Sequence, residues 1–155
     1  LGLYEKAVSD SDRLIELVPG NAVAWLAGAV CLIRLDKLQE AQSWIDRSLK
    51  VHPQETRLQG IRWRLMACLR KVPKETLLKE LDSLTQLTRQ KPDLELLEAR
   101  AMLLAASEQF EIALALQKGL IKAAAEAQRP DLAKRLIPHE QAYAKNQFPF
   151  DPWPE

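Results

Sequence analysis

Pro19 and Pro53 close two similar segments 34 residues apart, and that interval constrains the fold more than any other feature of the chain. Tyr4, Ala7, Leu14 and Pro19 align with Leu38, Ala41, Ser48 and Pro53, each pair at the same offset. A fixed period of this kind marks stacked units, each burying a face only against its neighbour. Inside the period, apolar or small residues recur at three- and four-residue steps, the spacing of a helix with one buried stripe. Ala7, Ser11, Leu14, Ile15 and Val18 predict a helix over 4–18. Trp25, Ala29, Leu32 and Ile33 predict one over 22–35, and Ala41, Ile45, Ser48 and Leu49 one over 38–51. Asp36-Lys37 between the last two is a tight turn, so the pair is a helical hairpin.

The pattern continues with less regularity. Leu58, Ile61, Leu65 and Leu69 predict a helix over 56–70, and Leu77, Leu81, Leu84 and Leu87 its partner over 76–90. Pro53 to Pro92 spans 39 residues, so this unit carries a longer loop. Helices over 94–107 and 110–127 form a further pair. Pro130 suits the first turn of a last helix, and Pro138 is expected to kink or end it. The expected organisation is one helical domain over 1–147, followed by a Pro- and aromatic-rich tail over 148–155. The domain divides into a half repeat over 1–21, repeats over 22–55, 56–93 and 94–128, and a capping helix over 129–147. The opening Leu1-Gly2-Leu3-Tyr4 lacks an initiator Met, which suggests a fragment of a larger protein and leaves open whether a targeting segment stood upstream.

Composition narrows the function. The net charge is +1, which argues against a general nucleic-acid or membrane-surface protein. The longest apolar stretch, 22–33, is too short to span a membrane. Cys31 and Cys68 are too few for a disulfide framework and read as reduced core thiols, with a bridge between neighbouring helices as the other possibility. They leave the compartment open, with the cytoplasm weakly favoured. No Gly-rich phosphate loop, supported Ser-His-Asp set or His-Glu-x-x-His motif is present. His52 and His139 make no recognised metal spacing with the cysteines. The expectation is a non-enzyme without cofactor or metal.

Trp25, Ala29, Leu32, Ala41, Ile45, Ser48 and Pro53 fall at the spacings of the tetratricopeptide repeat pattern, and the chain resembles that family over nearly its whole length. Small residues at Ala29 and Ala41 let paired helices approach, and larger ones fill the gaps between hairpins. Leu97, Ala101, Leu104, Phe110 and Ala113 resemble it again. Gly28 departs from the family, which usually has Leu there, and the third unit has no small residue near Arg62 or Trp63. The resemblance implies an all-α fold, a right-handed α-solenoid of antiparallel hairpins with a capping helix and an extended Pro-rich tail. It also implies a scaffold that binds proteins or peptides in a concave groove lined by the first helix of each hairpin.

Mapped onto this chain, the groove would use Val23, Leu26, Val30, Ile33 and Arg34 from the second unit. The third would add Gln59, Trp63, Met66 and Ala67, or Arg57 and Arg64 if the register shifts, and the fourth Glu95, Glu98 and Met102. Met adapts to varied partners and Trp anchors interfaces; the competing reading is plain interhelical packing. Trp63 is expected to be exposed, since Arg62 and Arg64 flank it. A clamp for an acidic chaperone C-terminus, one known use of the family, needs Lys, Arg and Asn at groove positions where Val30 and Met102 stand, so that pattern is absent. Arg57, Arg62, Arg64, Arg70, Lys71 and Lys74 form a run without an acid; it suits a partner's carboxylate or phosphate, or a stacked base, or is simply a solvated face. Phe148, Phe150 and Trp153 sit among prolines that forbid a helix. Three fates compete for this tail: folding back to cap the end of the array, which is favoured, serving as a ligand for another domain, or disorder. Expected partners are a protein or peptide segment, without nucleic acid or membrane insertion, and a homodimer is possible. The alternatives to the binding scaffold are a spacer or self-association element and the accessory repeat region of a larger enzyme.

Overall fold

The computed structural model describes residues 2–69 and 71–154, and every regular element among them is helical. The order is α1 (Gly2–Leu17), α2 (Ala22–Arg34), α3 (Leu38–Val51), α4 (Thr56–Cys68), α5 (Lys74–Gln90), α6 (Leu94–Ala106), α7 (Phe110–Glu126) and α8 (Pro130–Ala144). These stack as a helical-repeat solenoid, with α2/α3 and α6/α7 as close hairpins and α8 packed on α7.

The closing prolines take part in the packing. The Pro19 carbonyl accepts a hydrogen bond from Trp25 Nε1 at 3.1 Å, and His52 Nε2 lies 3.3 Å from the same oxygen. One turn thereby ties the end of α1 to α2 and to the end of α3. Asn21 caps α2, its side-chain oxygen accepting from the backbone N–H of Val23 and Ala24 at 3.1 and 3.2 Å. Asp93 does the same for α6, accepting from Glu95 and Leu96. Such caps satisfy amides that the first turn leaves without partners.

The other ends repeat one motif. Asp36, Glu108, Gln128 and Asn146 follow α2, α6, α7 and α8 with φ of 57°, 65°, 55° and 53°. The next residue then donates back across the turn, as in Lys37 N–H to the Leu32 carbonyl and Arg129 N–H to the Ala124 carbonyl, both 2.9 Å. This is the left-handed cap that usually prefers glycine, built here on other residues.

Gly28 has a packing role. A Cβ added there would collide with the Trp44 indole. The ring sits edge-on to Trp25, with centroids 5.5 Å apart, and its Nε1 donates to the Trp25 carbonyl at 2.8 Å. Gly28 thus makes the slot that a branched residue would close. Ala29 and Ala41 are fully buried in the same hairpin.

The third unit departs from the hairpin rule. The backbone of α5 runs close to α6 and stands off from α4, which it meets through side chains, while α4 lies closely against α6. Two residues explain this. The bulky Trp63 stands where a small residue would let α4 and α5 close up. On another side of α4, a Cβ at Gly60 would come within 3.0 Å of the Glu95 backbone oxygen, so Gly60 lets α4 and α6 approach. The third unit does have its small residue, aimed at the next repeat rather than at its own partner.

Pro138 does not end α8, which continues to Ala144. Buried Leu132, Leu136, His139 and Tyr143 flank the proline on one stripe, and the Leu136 carbonyl takes a hydrogen bond from Gln117 Nε2 of α7 at 2.9 Å. Packing on both sides of the proline outweighs the lost donor. Both cysteines are free thiols. No described helix is long and apolar enough to cross a membrane.

Candidate functional site

The surface shared by α2, α4, α6 and α8 carries the most unusual chemistry of the chain. At its centre lies an ion cluster that joins three helices. Arg64 of α4 is completely buried, and its Nη2 donates to Glu95 Oε2 of α6 at 3.0 Å. Its Nη1 stands 2.9 Å from Glu98 Oε2, on a glutamate only 1% exposed. From the other side Arg135 of α8 grips Glu98 with both terminal nitrogens, at 3.0 and 2.7 Å. Two guanidinium groups and two carboxylates balance within one cluster. Buried charge is tolerated only when opposite charges pair in this way; the Arg64 Nη1 contact with Glu98 is an ion pair without hydrogen-bond geometry.

The segment after α8 returns across this cluster. Trp153 lies over both arginines, with ring centroid distances of 4.7 Å to Arg64 and 4.4 Å to Arg135. Pro152 and Pro154 on either side are buried. Asp151 Oδ1 accepts from the Trp153 backbone N–H at 2.9 Å, folding Asp-Pro-Trp into a tight turn. A ring nitrogen of the buried His139 lies 2.7 Å from the Asp151 carbonyl. Burial holds this imidazole below its ordinary pKa; Glu98 and Asp151 oppose the shift and Arg64 adds to it. Because a carbonyl only accepts, Nε2 is the nitrogen that carries the proton in this contact. Farther back along the segment, Phe148 packs against the core formed by α4–α7 and meets Phe150 edge-on at 4.7 Å. Phe150 has a φ of 50°, a left-handed bend that turns the chain between the two parts.

Beside Trp153 an open cleft of about 520 Å³ remains. It is lined by Leu26 and Arg34 of α2, Arg57 of α4, Glu95 of α6, a run of α8 side chains, and Trp153 and Pro154. Its cationic residues are Arg34, Arg57, Arg129, Lys134 and Arg135, against only Glu95 and Asp131. Among the described residues no cluster of His, Cys, Asp and Glu is arranged to hold a metal ion.

The residues expected in the groove divide. Leu26 and Arg34 line the cleft, together with Arg57 and Glu95 from the alternative register and the fourth unit. Arg64 and Glu98 are paired within the chain beneath Trp153. Met102 is fully buried and Ala67 nearly so, Ile33 belongs to the core, and Val30 and Met66 are partly buried against it. Val23 is exposed, and Gln59 donates to the Pro53 carbonyl at 2.6 Å. The expected exposure of Trp63 is not observed. It is 8% exposed, and its Nε1 donates to Glu80 of α5 at 2.7 Å, so the indole that holds α4 and α5 apart also fills the space between them.

The basic run is also dispersed. Arg57 pairs with Glu55, Arg62 with Glu80 at 3.6 Å, and Lys74 with Glu108 at 2.9 Å, while Arg70 lies outside the described residues. A helix turns successive residues to different sides, so a run in sequence is not a patch in space. Arg135 escaped the sequence reading. Its only signal was a cation between Leu132 and Leu136 on an apolar stripe.

A family model described as tetratricopeptide repeat matches residues 1–65. Over those residues the chain is similar to tetratricopeptide repeats. The match covers α1 to α3 and most of α4, the part that carries the regular period. No curated protein and no solved structure matches the chain. Repeats of this family mediate protein–protein interaction in general, and an all-helical repeat array of this kind is typically a non-catalytic scaffold.

Proposed function

We propose that the chain is a scaffold module that holds a protein or peptide segment on the face shared by α2, α4, α6 and α8. One observation carries this reading: the open cleft beside Trp153 is lined by α2, α4 and α6 and, most heavily, by α8 and its first turn, and it sets five cationic side chains, Arg135 already paired with Glu98 among them, against two acidic ones. An apolar floor with a cationic rim suits a segment carrying carboxylates. The substitutions Arg57→Glu and Lys134→Glu together reverse two rim charges without touching the buried cluster. A peptide array read with the unaltered chain should show acidic peptides enriched among the binders, and the double variant should lose them. An unchanged binding profile would remove this face from consideration.

A second reading has its own observation. Leu17 is 74% exposed, and Val18 and Val23 stand exposed just after it, an apolar surface at the end of α1 and the start of α2; Leu3, 83% exposed, lies at the other end of α1. Such a patch suits self-association. Light scattering over a concentration series distinguishes the two, because a dimer formed through α1 would disperse in a Leu3→Glu, Leu17→Glu variant while peptide binding persisted.

A further inference from the structure

We propose that residues 151–154 are an intramolecular ligand, and that the site they fill takes a partner segment of the same chemistry: a tryptophan between prolines, preceded by an acidic residue. The proposal rests on the reading that the face of α2, α4, α6 and α8 is the binding surface, and it names what that surface recognises.

Three features point to a ligand rather than to a structural strut. First, the charges beneath the ring are paired without it. Arg64, Arg135, Glu95 and Glu98 balance one another's charge, and Trp153 lays its ring over the two guanidinium groups while its edge packs against the core of α2–α4. Removing the ring leaves two flat cationic faces ready for another aromatic. Second, the segment is recognised as peptides are. Its backbone carbonyl at Asp151 meets His139, its prolines are buried, and its tryptophan is an anchor. Proline-rich segments dock this way because little conformational freedom remains to be lost. Third, the turn is preorganised. The Asp151 carboxylate accepts from the Trp153 amide within the segment itself, so Asp-Pro-Trp carries its own shape wherever it binds.

The consequence is competition. A tethered ligand acts at an effective concentration in the millimolar range. A free segment of equal intrinsic affinity therefore binds weakly until the tethered one leaves. The occupied site and the open basic cleft share Trp153 and Pro154 as a wall, so a longer partner segment that displaced residues 151–154 would reach both.

The test uses the full chain and its Trp153→Ala variant, titrated with a fluorescein-labelled synthetic peptide of residues 147–155 and followed by anisotropy. The variant should bind the peptide at least about tenfold more tightly than the unaltered chain, since its own segment no longer competes. A peptide with alanine in place of the tryptophan should bind neither. Equal affinities would overturn the proposal. So would a Trp153→Ala chain that is unfolded where the unaltered chain is folded, because the segment would then be part of the core. A dimer of the unaltered chain that Trp153→Ala dissolves would also overturn it, by making the segment an exchanged arm between copies. The Arg57→Glu, Lys134→Glu variant reports the open cleft and Trp153→Ala the occupied site, so one result can fail while the other stands.

Discussion

Glu98→Gln tests the central claim about the ion cluster, which is that pairing alone makes its burial tolerable. Glu98 is 1% exposed and faces Arg64, which is wholly buried, and Arg135, which grips it bidentately. The glutamine keeps the shape and removes the charge. Breaking a buried pair by deleting one partner costs about 3–5 kcal/mol, because the other charge stays desolvated. Arg64 retains Glu95 at 3.0 Å, and Arg135 has some access to solvent, so the lower end, about 3 kcal/mol, is expected. For a chain of this size that corresponds to a fall in Tm of roughly 6–12 °C.

Guanidinium denaturation followed by circular dichroism measures the loss directly. The informative companion is Arg64→Met with Glu98→Met. It leaves no charge in the buried half of the cluster, so it should cost less than Glu98→Gln alone. A Glu98→Gln variant within about 1 kcal/mol of the unaltered chain would refute the reasoning, since water or movement would then be relieving the charge. A double variant as unstable as the sum of its singles would refute it too.

Gly28→Ala should destabilise by about 1–3 kcal/mol although alanine is the better helix former, because the added methyl meets the Trp44 indole; a higher Tm would show that the slot is not tight. Gln128→Gly should raise stability by roughly 0.5 kcal/mol in chemical denaturation, since a left-handed cap costs a side chain more than it costs glycine, and a loss would mean the side chain does more than occupy the cap. His139 is held below its ordinary value of 6.5 by burial, so the unfolded chain takes up a proton first. The associated stability is full above pH 6.5 and falls as pH drops from there toward the folded value, and His139→Gln should flatten that slope in denaturation curves at pH 7 and below. Cys68 is buried and its thiol is pushed far up, by desolvation first and then by Asp151, so it should resist a thiol reagent until the chain unfolds while the more open Cys31 reacts in the folded state; equal labelling rates would show that α4 opens locally.

Much of the fold was legible because it is set by local spacing. Helix positions follow from apolar steps, and the turns from Pro19, Asp36-Lys37, Pro53 and Pro92. Gly28 and Gly60 show where that legibility stops. Each was visible as a glycine inside a helical pattern, but what each admits, Trp44 from the next helix and the backbone of Glu95 from the next repeat, depends on which elements stack. Arg64 shows the limit more sharply. In sequence it belonged to a basic run, and charge alone placed it at a partner's disposal. In the folded chain its partners are Glu95 and Glu98, some thirty residues on, and Arg135 competes for the same carboxylate. Residues that fill a period reveal the scaffold because every repeat poses them the same problem. Residues that break it answer a problem posed once, by one neighbour, and only the stacked chain names that neighbour. The surface under Trp153 is built almost wholly from the second kind, which is why the period located its helices while the spacing was silent about its chemistry.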